Sequence, residues 1–297
     1  MNTASLSRPA RPAISALPLL YMLLWGTSFV AAKFALASTG PQTLMLISFA
    51  VAAGALLIIA LLTRAPWPDK PMQYMHLAVV GLLLLAVQFT GLYSALNHGI
   101  GAGESALIVG LMPLCVAIGG TIFLGERFVI RHWIGLAIGL LGVWLVVGDK
   151  VHSDGGSWLG YQAVVLALVG ITLGTLYQRR FAQDVDLRTG GVIQLATAAL
   201  LVLPLAWFDE GLAVTPTPAF VLSTAWLSFI NAFGAIILLF MLVRKGEANK
   251  VASLFYLVPG ITAVMGAAVL GETLTIAEAL GFAVTAAAVF AGARHIA

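Results

Sequence analysis

Thr27, Ser28, Gln88, Thr172, Thr175 and Asn231 are the candidate polar side chains at midplane depth in otherwise apolar stretches, and they set the chemistry on offer. Hydroxyls and amides exchange hydrogen bonds reversibly, but they break no covalent bond without a base or a metal at the same depth. Gln88 and Asn231 are the most informative, because a buried amide must be satisfied by a neighbouring helix or by a solute. Serine and threonine often bond only the carbonyl one turn back. Trp25 and Tyr256 lie deep enough in their runs to wall a cavity. Tyr93 and Tyr177 lie nearer run ends, where aromatic residues usually form an interfacial belt.

The ionisable residues are informative by their placement. No Asp, Glu, Lys, Arg or His falls in the middle third of an apolar run, where proton pumps and cation antiporters usually keep an acidic relay. Lys33, His98 and Glu104 stand near helix ends on one side, as an ionisable cluster or as interfacial anchors. If transport is coupled to protons, that cluster is where the coupling belongs. His76, His98, His132, His152 and His295 lie in loops or at run ends, and no Asp/His or Cys/His cluster falls inside a run. Catalytic residues, metal ligands and a cofactor are therefore not expected. Cys115 is the single cysteine, so no disulfide forms within the chain.

The elements that carry these residues are membrane helices. The chain is 61% hydrophobic and 9% charged, too few charges to cover a soluble protein of 297 residues. Ten runs approach the ~20 residues that cross ~30 Å of hydrocarbon as a helix. They are Ile14 to Ala37, Gln42 to Thr63, Tyr74 to Asn97, Glu104 to Leu124, His132 to Gly148, Trp158 to Arg180, Gly190 to Trp207, Ala219 to Val243, Asn249 to Leu270, and Thr275 to Ala293. Helices are required because lipid satisfies no backbone hydrogen bond, and no alternating strands suggest a barrel. The connections are short and leave no room for a soluble domain. Arg8 and Arg11 before the first run resemble a signal peptide, but the run is too long for one, and its removal would spoil an internal duplication of the chain.

In that duplication, Ala106 to Trp144 return 146 positions later, without a gap, as Ala252 to Phe290; Pro113, Gly120, Gly125 and Glu126 face Pro259, Gly266, Gly271 and Glu272. Pro113 and Pro259 both fall near the bilayer midplane, where each removes an N–H and frees a carbonyl, that of Val109 or Phe255. Such backbone is tolerated where it is buried in protein or lines a cavity. The paired prolines are expected to be kinks at the solute site, acting as hinges, with Gly110 and Gly260 allowing close approach or bending. Each Gly-Glu pair reads as a helix stop followed by a carboxylate that favours the positive end of the next helix, starting at Val129 or Thr275.

With ten spans and a cytoplasmic amino terminus, thirteen basic residues fall on the cytoplasmic side and only Lys33 and Lys150 on the other. That bias fixes both termini in the cytoplasm. Five spans per repeat is odd, so the second repeat, 149–297, enters the membrane from the opposite face to the first, 1–148. The expected fold is thus an all-α polytopic membrane protein of two inverted five-helix repeats. Lys33-Phe34-Ala35 and Arg180-Phe181-Ala182 echo each other at an offset of 147.

Ten spans in inverted repeats, Trp25-Gly26-Thr27-Ser28-Phe29 followed by Lys33, and the twice-used proline and Gly-Glu element resemble EamA-type members of the drug/metabolite transporter superfamily. The resemblance covers essentially the whole chain and is closest to bacterial inner-membrane exporters of amino acids, the aromatic branch included. It implies an outward-directed carrier whose central cavity lies between the repeats, lined by spans one, three, four, six, eight and nine. Small multidrug exporters of that superfamily use a glutamate in the first span, which this chain lacks.

The expected function is export of small neutral or zwitterionic metabolites, amino acids foremost, by alternating access. The expected cavity is Trp25, Thr27, Ser28, Gln88, Gly110, Thr175, Asn231 and Tyr256. A weakly polar cavity suits such solutes and does not suit phosphorylated ones, which want a basic pocket. A drug, multidrug or other metabolite exporter of the same superfamily is the alternative; a channel or a non-transport role fits less well, since nothing reads as a selectivity filter. The expected partners are the solute and the lipid bilayer, with no nucleic acid, and the sequence leaves the oligomeric state open, a monomer included.

Overall fold

Apolar runs of this length have one way to satisfy their backbone in lipid, and the chain takes it. A computed structural model describes residues 16–125, 130–153, 157–183, 185–229, 258–272, 275–276, 279–284 and 287. Its helices are α1 (Ala16–Leu36), α2 (Pro41–Leu62), α3 (Pro71–Val80), α4 (Gln88–Asn97), α5 (Ala102–Val109), α6 (Met112–Leu124), α7 (Ile130–Ser153), α8 (Trp158–Phe181), α9 (Leu187–Phe208), α10 (Pro218–Ala225) and α11 (Val258–Leu270). Five stretches are long and apolar enough to cross a membrane: Pro41–Leu62, Pro71–Asn97, Ala102–Leu124, Trp158–Phe181 and Leu187–Phe208. Shorter apolar helices, Leu23–Leu36, Ala137–Val146, Pro218–Phe229 and Val258–Leu270, fall where spans one, five, eight and nine are expected. The tenth expected span lies largely outside the described residues. Large apolar side chains such as Leu61, Phe123, Leu200 and Phe208 point away from the bundle and form an apolar coat.

Successive spans, Pro71–Asn97 and Ala102–Leu124 each counted as one, alternate in direction, so one end of the bundle gathers Lys33, Glu104 and Glu210, and the other Thr63, Asp186 and Arg188. α2 packs along α9, and this pair is tied at both ends. At the Lys33 end, the Glu210 carboxylate accepts from the amides of Gln42 (2.9 Å) and Thr43 (2.7 Å) and from Thr43 Oγ1 (2.7 Å), capping α2. Thr39 and Val214 form an antiparallel bridge beside it. At the far end, Asp186 caps α9 through the Arg188 amide (2.9 Å), Arg188 Nη1 donates to Thr63 Oγ1 (2.7 Å), and Thr189 Oγ1 donates to the Pro66 carbonyl (2.8 Å). Carboxylates at the first turns satisfy donors that the helices cannot.

Two expected spans depart from a regular α-helix. The third expected span runs unbroken from Pro71 to Asn97, but Gly81–Val87 between α3 and α4 is wound as a π-helix. Gly170 and Gly174 of α8 fit against it: a Cβ on Gly170 would come 2.8 Å from the Gln88 backbone nitrogen, and one on Gly174 2.8 Å from that of Leu84. Small residues four apart permit this backbone contact between helices. The fourth expected span breaks at Gly110 and Leu111, with Pro113 in the first turn of α6. There Leu111 N–H donates to Ile108 and Leu114 N–H to Leu111, i→i−3 closures in place of the regular ladder.

Candidate functional site

The π-helix decides where Gln88 points. Its amide N–H bonds back five residues to Leu83, and the extra residue in that turn rotates the rest of the helix by about 100° relative to a regular one. Gln88 is 4% exposed and lines a cavity with Trp25, Ser28, Phe29, Phe89, Leu92 and Tyr93. Its side-chain amide makes no hydrogen bond to any described residue, and neither does the hydroxyl of Tyr93. The space is small, with room for about a water molecule.

Of the residues expected at this site, Trp25, Ser28 and Gln88 come together. Ser28 and Thr27 both bond the Leu24 carbonyl, at 3.0 and 2.8 Å, the back-bonding that serine and threonine commonly show in helices. Thr27 faces a separate crevice beside α10, where it accepts a hydrogen bond from Trp226 Nε1 at 3.2 Å. Thr175 bonds the Ile171 carbonyl at 2.7 Å and lies on α8, apart from these residues. Asn231 and Tyr256 lie outside the described residues. Tyr93 departs from the expected interfacial belt: it is 3% exposed and packs edge-on against Phe89, whose ring meets Phe49 in the same way. Residue order obscures its depth, because the helix continues beyond it to Asn97 and the burial comes from α8, which Gly91 lets approach. Tyr177 does sit near a helix end, hydrogen-bonded to His76 at 2.9 Å.

The two proline elements meet. A Cβ on Gly110 would lie 3.0 Å from Pro259 Cγ, and one on Gly26 would lie 3.1 Å from Ile261 Cγ2 and Thr262 Oγ1. Thr262 Oγ1 also donates to the Gly26 carbonyl at 3.4 Å. Pro259 is buried and Pro113 partly so. The Trp25-Gly26-Thr27-Ser28 stretch thus touches α11 on one side and the Gln88 cavity on the other. The EamA-like transporter family matches this sequence twice, over residues 13–148 and 158–291.

The chain belongs to that family. This EamA-like transporter is 27% identical over 283 residues to the uncharacterized inner membrane transporter YedA of Escherichia coli, covering 95% of this chain and 90% of the relative. It is 29% identical over 272 residues to the uncharacterized transporter YvbV of Bacillus subtilis, with 88% and 85% covered. A probable amino-acid metabolite efflux pump of E. coli is 25% identical over 275 residues, with 89% of each chain covered. A solved crystal structure, 22% identical, matches the fold with a TM-score of 0.66 over 95% of this chain and 97% of its own. The protein is therefore a helical, multi-pass membrane transporter.

The ionisable residues at the Lys33 end of this transporter are divided differently from the expected cluster. Lys33 Nζ pairs with Glu272 at 2.5 Å, not with His98 or Glu104. Glu272 also accepts from the Ala102 amide at 3.0 and 3.2 Å, so it caps the start of α5 rather than serving only the helix after it. Sequence order hides this, since Ala102 is 170 residues away. Glu104 is 3% exposed and accepts from the Tyr161 hydroxyl at 3.4 Å. His98 is exposed, and its Nδ1 lies 2.7 Å from the Ser94 carbonyl. Among the described residues no group of three His, Cys, Asp or Glu could hold a metal ion.

Proposed function

We propose that this transporter exports small neutral or zwitterionic metabolites, amino acids foremost, across the bacterial inner membrane by alternating access between two inverted five-helix repeats. The observation that carries the reading is the Gln88 amide: buried, turned into an aromatic-walled cavity by a π-helix, and without a hydrogen bond to any described residue. A buried amide left this way costs free energy unless water or a solute satisfies it. The walls offer flat apolar surface and no full charge, which suits a solute whose own charges cancel.

Contacts between the halves support the inverted arrangement. α2 with α9 and α5 with α11 pair expected repeat mates, while α4 with α8 and α1 with α10 are two contacts that the pseudo-two-fold would exchange. The relatives described as amino-acid metabolite efflux pumps support the solute class at low identity. The cavity as it stands is too small for an amino acid, consistent with a closed state that must open to load.

Counterflow into proteoliposomes tests the reading. Preloading with neutral amino acids, Phe, Tyr, Trp, Met and Thr among them, should accelerate uptake of the labelled solute with saturation, and cationic dyes should not compete. Unsaturable flux would mark a pore, and no flux with any of these solutes would overturn the solute class.

A further inference from the structure

We propose that Glu272 is the catch of a gate: its carboxylate holds α1 and α5 to α11 while the Lys33 face is closed and lets go when that face opens. The inference rests on the alternating-access reading. Three helices converge on this one group. Glu272 pairs with Lys33 of α1 at 2.5 Å and accepts from Ala102 at the start of α5 through both oxygens. It also lies over Gly266 of α11, where a Cβ would come 2.5 Å from Oε2. A carboxylate serving only its own turn would need neither the partner 239 residues away nor the glycine cradle.

The contacts deeper in the same seam are weaker. Gly26 meets Ile261 and Thr262, Gly103 meets Ala263, and the Ser105 hydroxyl is buried without a hydrogen bond. Apolar contacts between small residues can part and re-form at little cost, whereas the charge-assisted bonds at the rim must be broken. Lys33 and Glu272 side chains are 21% and 19% exposed, so water can take over their hydrogen bonds on release. A fully buried pair would be left uncompensated on opening.

The internal repeat holds a second set of the same parts. Gly120, Gly125 and Glu126 stand where the second repeat has Gly266, Gly271 and Glu272; Ala248 stands for Ala102 at the same offset, and Arg180 for Lys33 at an offset of 147. Gly125 and Gly271 make the same left-handed turn, with φ of 68° and 69°. Glu126 and Ala248 lie outside the described residues. If the catch is used twice, one set engages as the other releases.

A lone cysteine at Ser105, in a Cys115→Ala background, reports opening by its reaction with a membrane-impermeant thiol reagent applied to either face of proteoliposomes. Glu272→Gln keeps the shape and removes the charge, and it should raise labelling from the Lys33 face about tenfold. Lys33→Met should do the same, and the double variant should add nothing, since both remove one contact. Glu126→Gln should slow labelling from that face, and no change there would overturn the paired arrangement. Should Glu272→Gln fold poorly, Glu272→Ala, which also removes the carboxylate, is read in the same way. Unchanged labelling in a folded Glu272 variant overturns the catch. Counterflow by the unaltered protein is scored separately: labelling that responds without counterflow keeps the catch and overturns the carrier, and the reverse result does the opposite.

Discussion

Gly110 of the first repeat lies against the ring of Pro259 in the second, so close that a methyl group on Gly110 would sit 3.0 Å from Pro259 Cγ. The second half of the duplication therefore meets the first at the point where the fourth expected span breaks, at Gly110 and Leu111. Gly110→Val would push β-branched bulk into this crossing, and overpacking of that kind costs about 1–3 kcal/mol. The expected outcome is a lower melting temperature in detergent. An unchanged one would show that the crossing is loose.

Gln88→Ala and Gln88→Leu separate a solute contact from helix glue. The Gln88 side chain makes no hydrogen bond to a described residue, so its removal should leave folded yield nearly unchanged while weakening solute affinity about tenfold or more. The measurement is the half-saturation concentration for counterflow, normalised to purified protein. A collapse in yield with counterflow per molecule intact would make Gln88 a packing residue.

Much of this architecture is legible in residue order. Apolar run length gives the described helices, and Pro113 marks the break at Gly110 and Leu111. Two features are not. The π-helix at Gly81–Val87 arises from how Gly170 and Gly174 on another helix admit its backbone, a tertiary cause that the run Gly81-Leu-Leu-Leu-Leu-Ala-Val87 does not announce. The partners of Glu272 are likewise set by which ends the fold brings together, so a carboxylate that reads as a local cap joins three helices.

Asp186 gives a pH prediction with a definite sign. Arg188, bonded to it through the side chain at 3.0 and 2.7 Å and through its amide at 2.9 Å, holds the Asp186 carboxyl below the usual carboxylate range. A depressed carboxyl contributes stability that is present above about pH 4 and lost as the pH falls through its folded value. Asp186→Ala should cost about 0.5–2 kcal/mol at pH 7, as lost helix caps do. The gap in melting temperature between variant and parent should narrow toward pH 3, and a gap that widens on acidification would contradict the assignment.

The orientation is tested by single cysteines in a Cys115→Ala background. Gly211 is an attractive external site by its place in the sequence, but its φ of 62° makes a side chain there strained. Asp209, exposed on the same turn, is the better reporter. Asp209→Cys should label from outside intact cells and Asp69→Cys, in the loop before α3 at the opposite end of the bundle, only after permeabilisation. The opposite pattern would invert the protein and turn the proposed exporter around with it.

Pro113 and Pro259 are predicted to serve the exchange of conformations rather than static packing. The regular hydrogen-bond ladder is already broken at Gly110 and Leu111, so the two halves of the span, α5 and α6, can tilt separately. Pro113→Ala restores an N–H beside that break and should favour a straighter span in the first repeat, while Pro259→Ala does so in the second. If the repeats exchange roles in the cycle, the two changes bias it in opposite directions. A bias of about 1.4 kcal/mol shifts the ratio of facing states tenfold. Ser105→Cys labelling from the Lys33 face should rise in one variant and fall in the other. Shifts of the same sign, or none in either folded variant, would leave both prolines as fixed kinks.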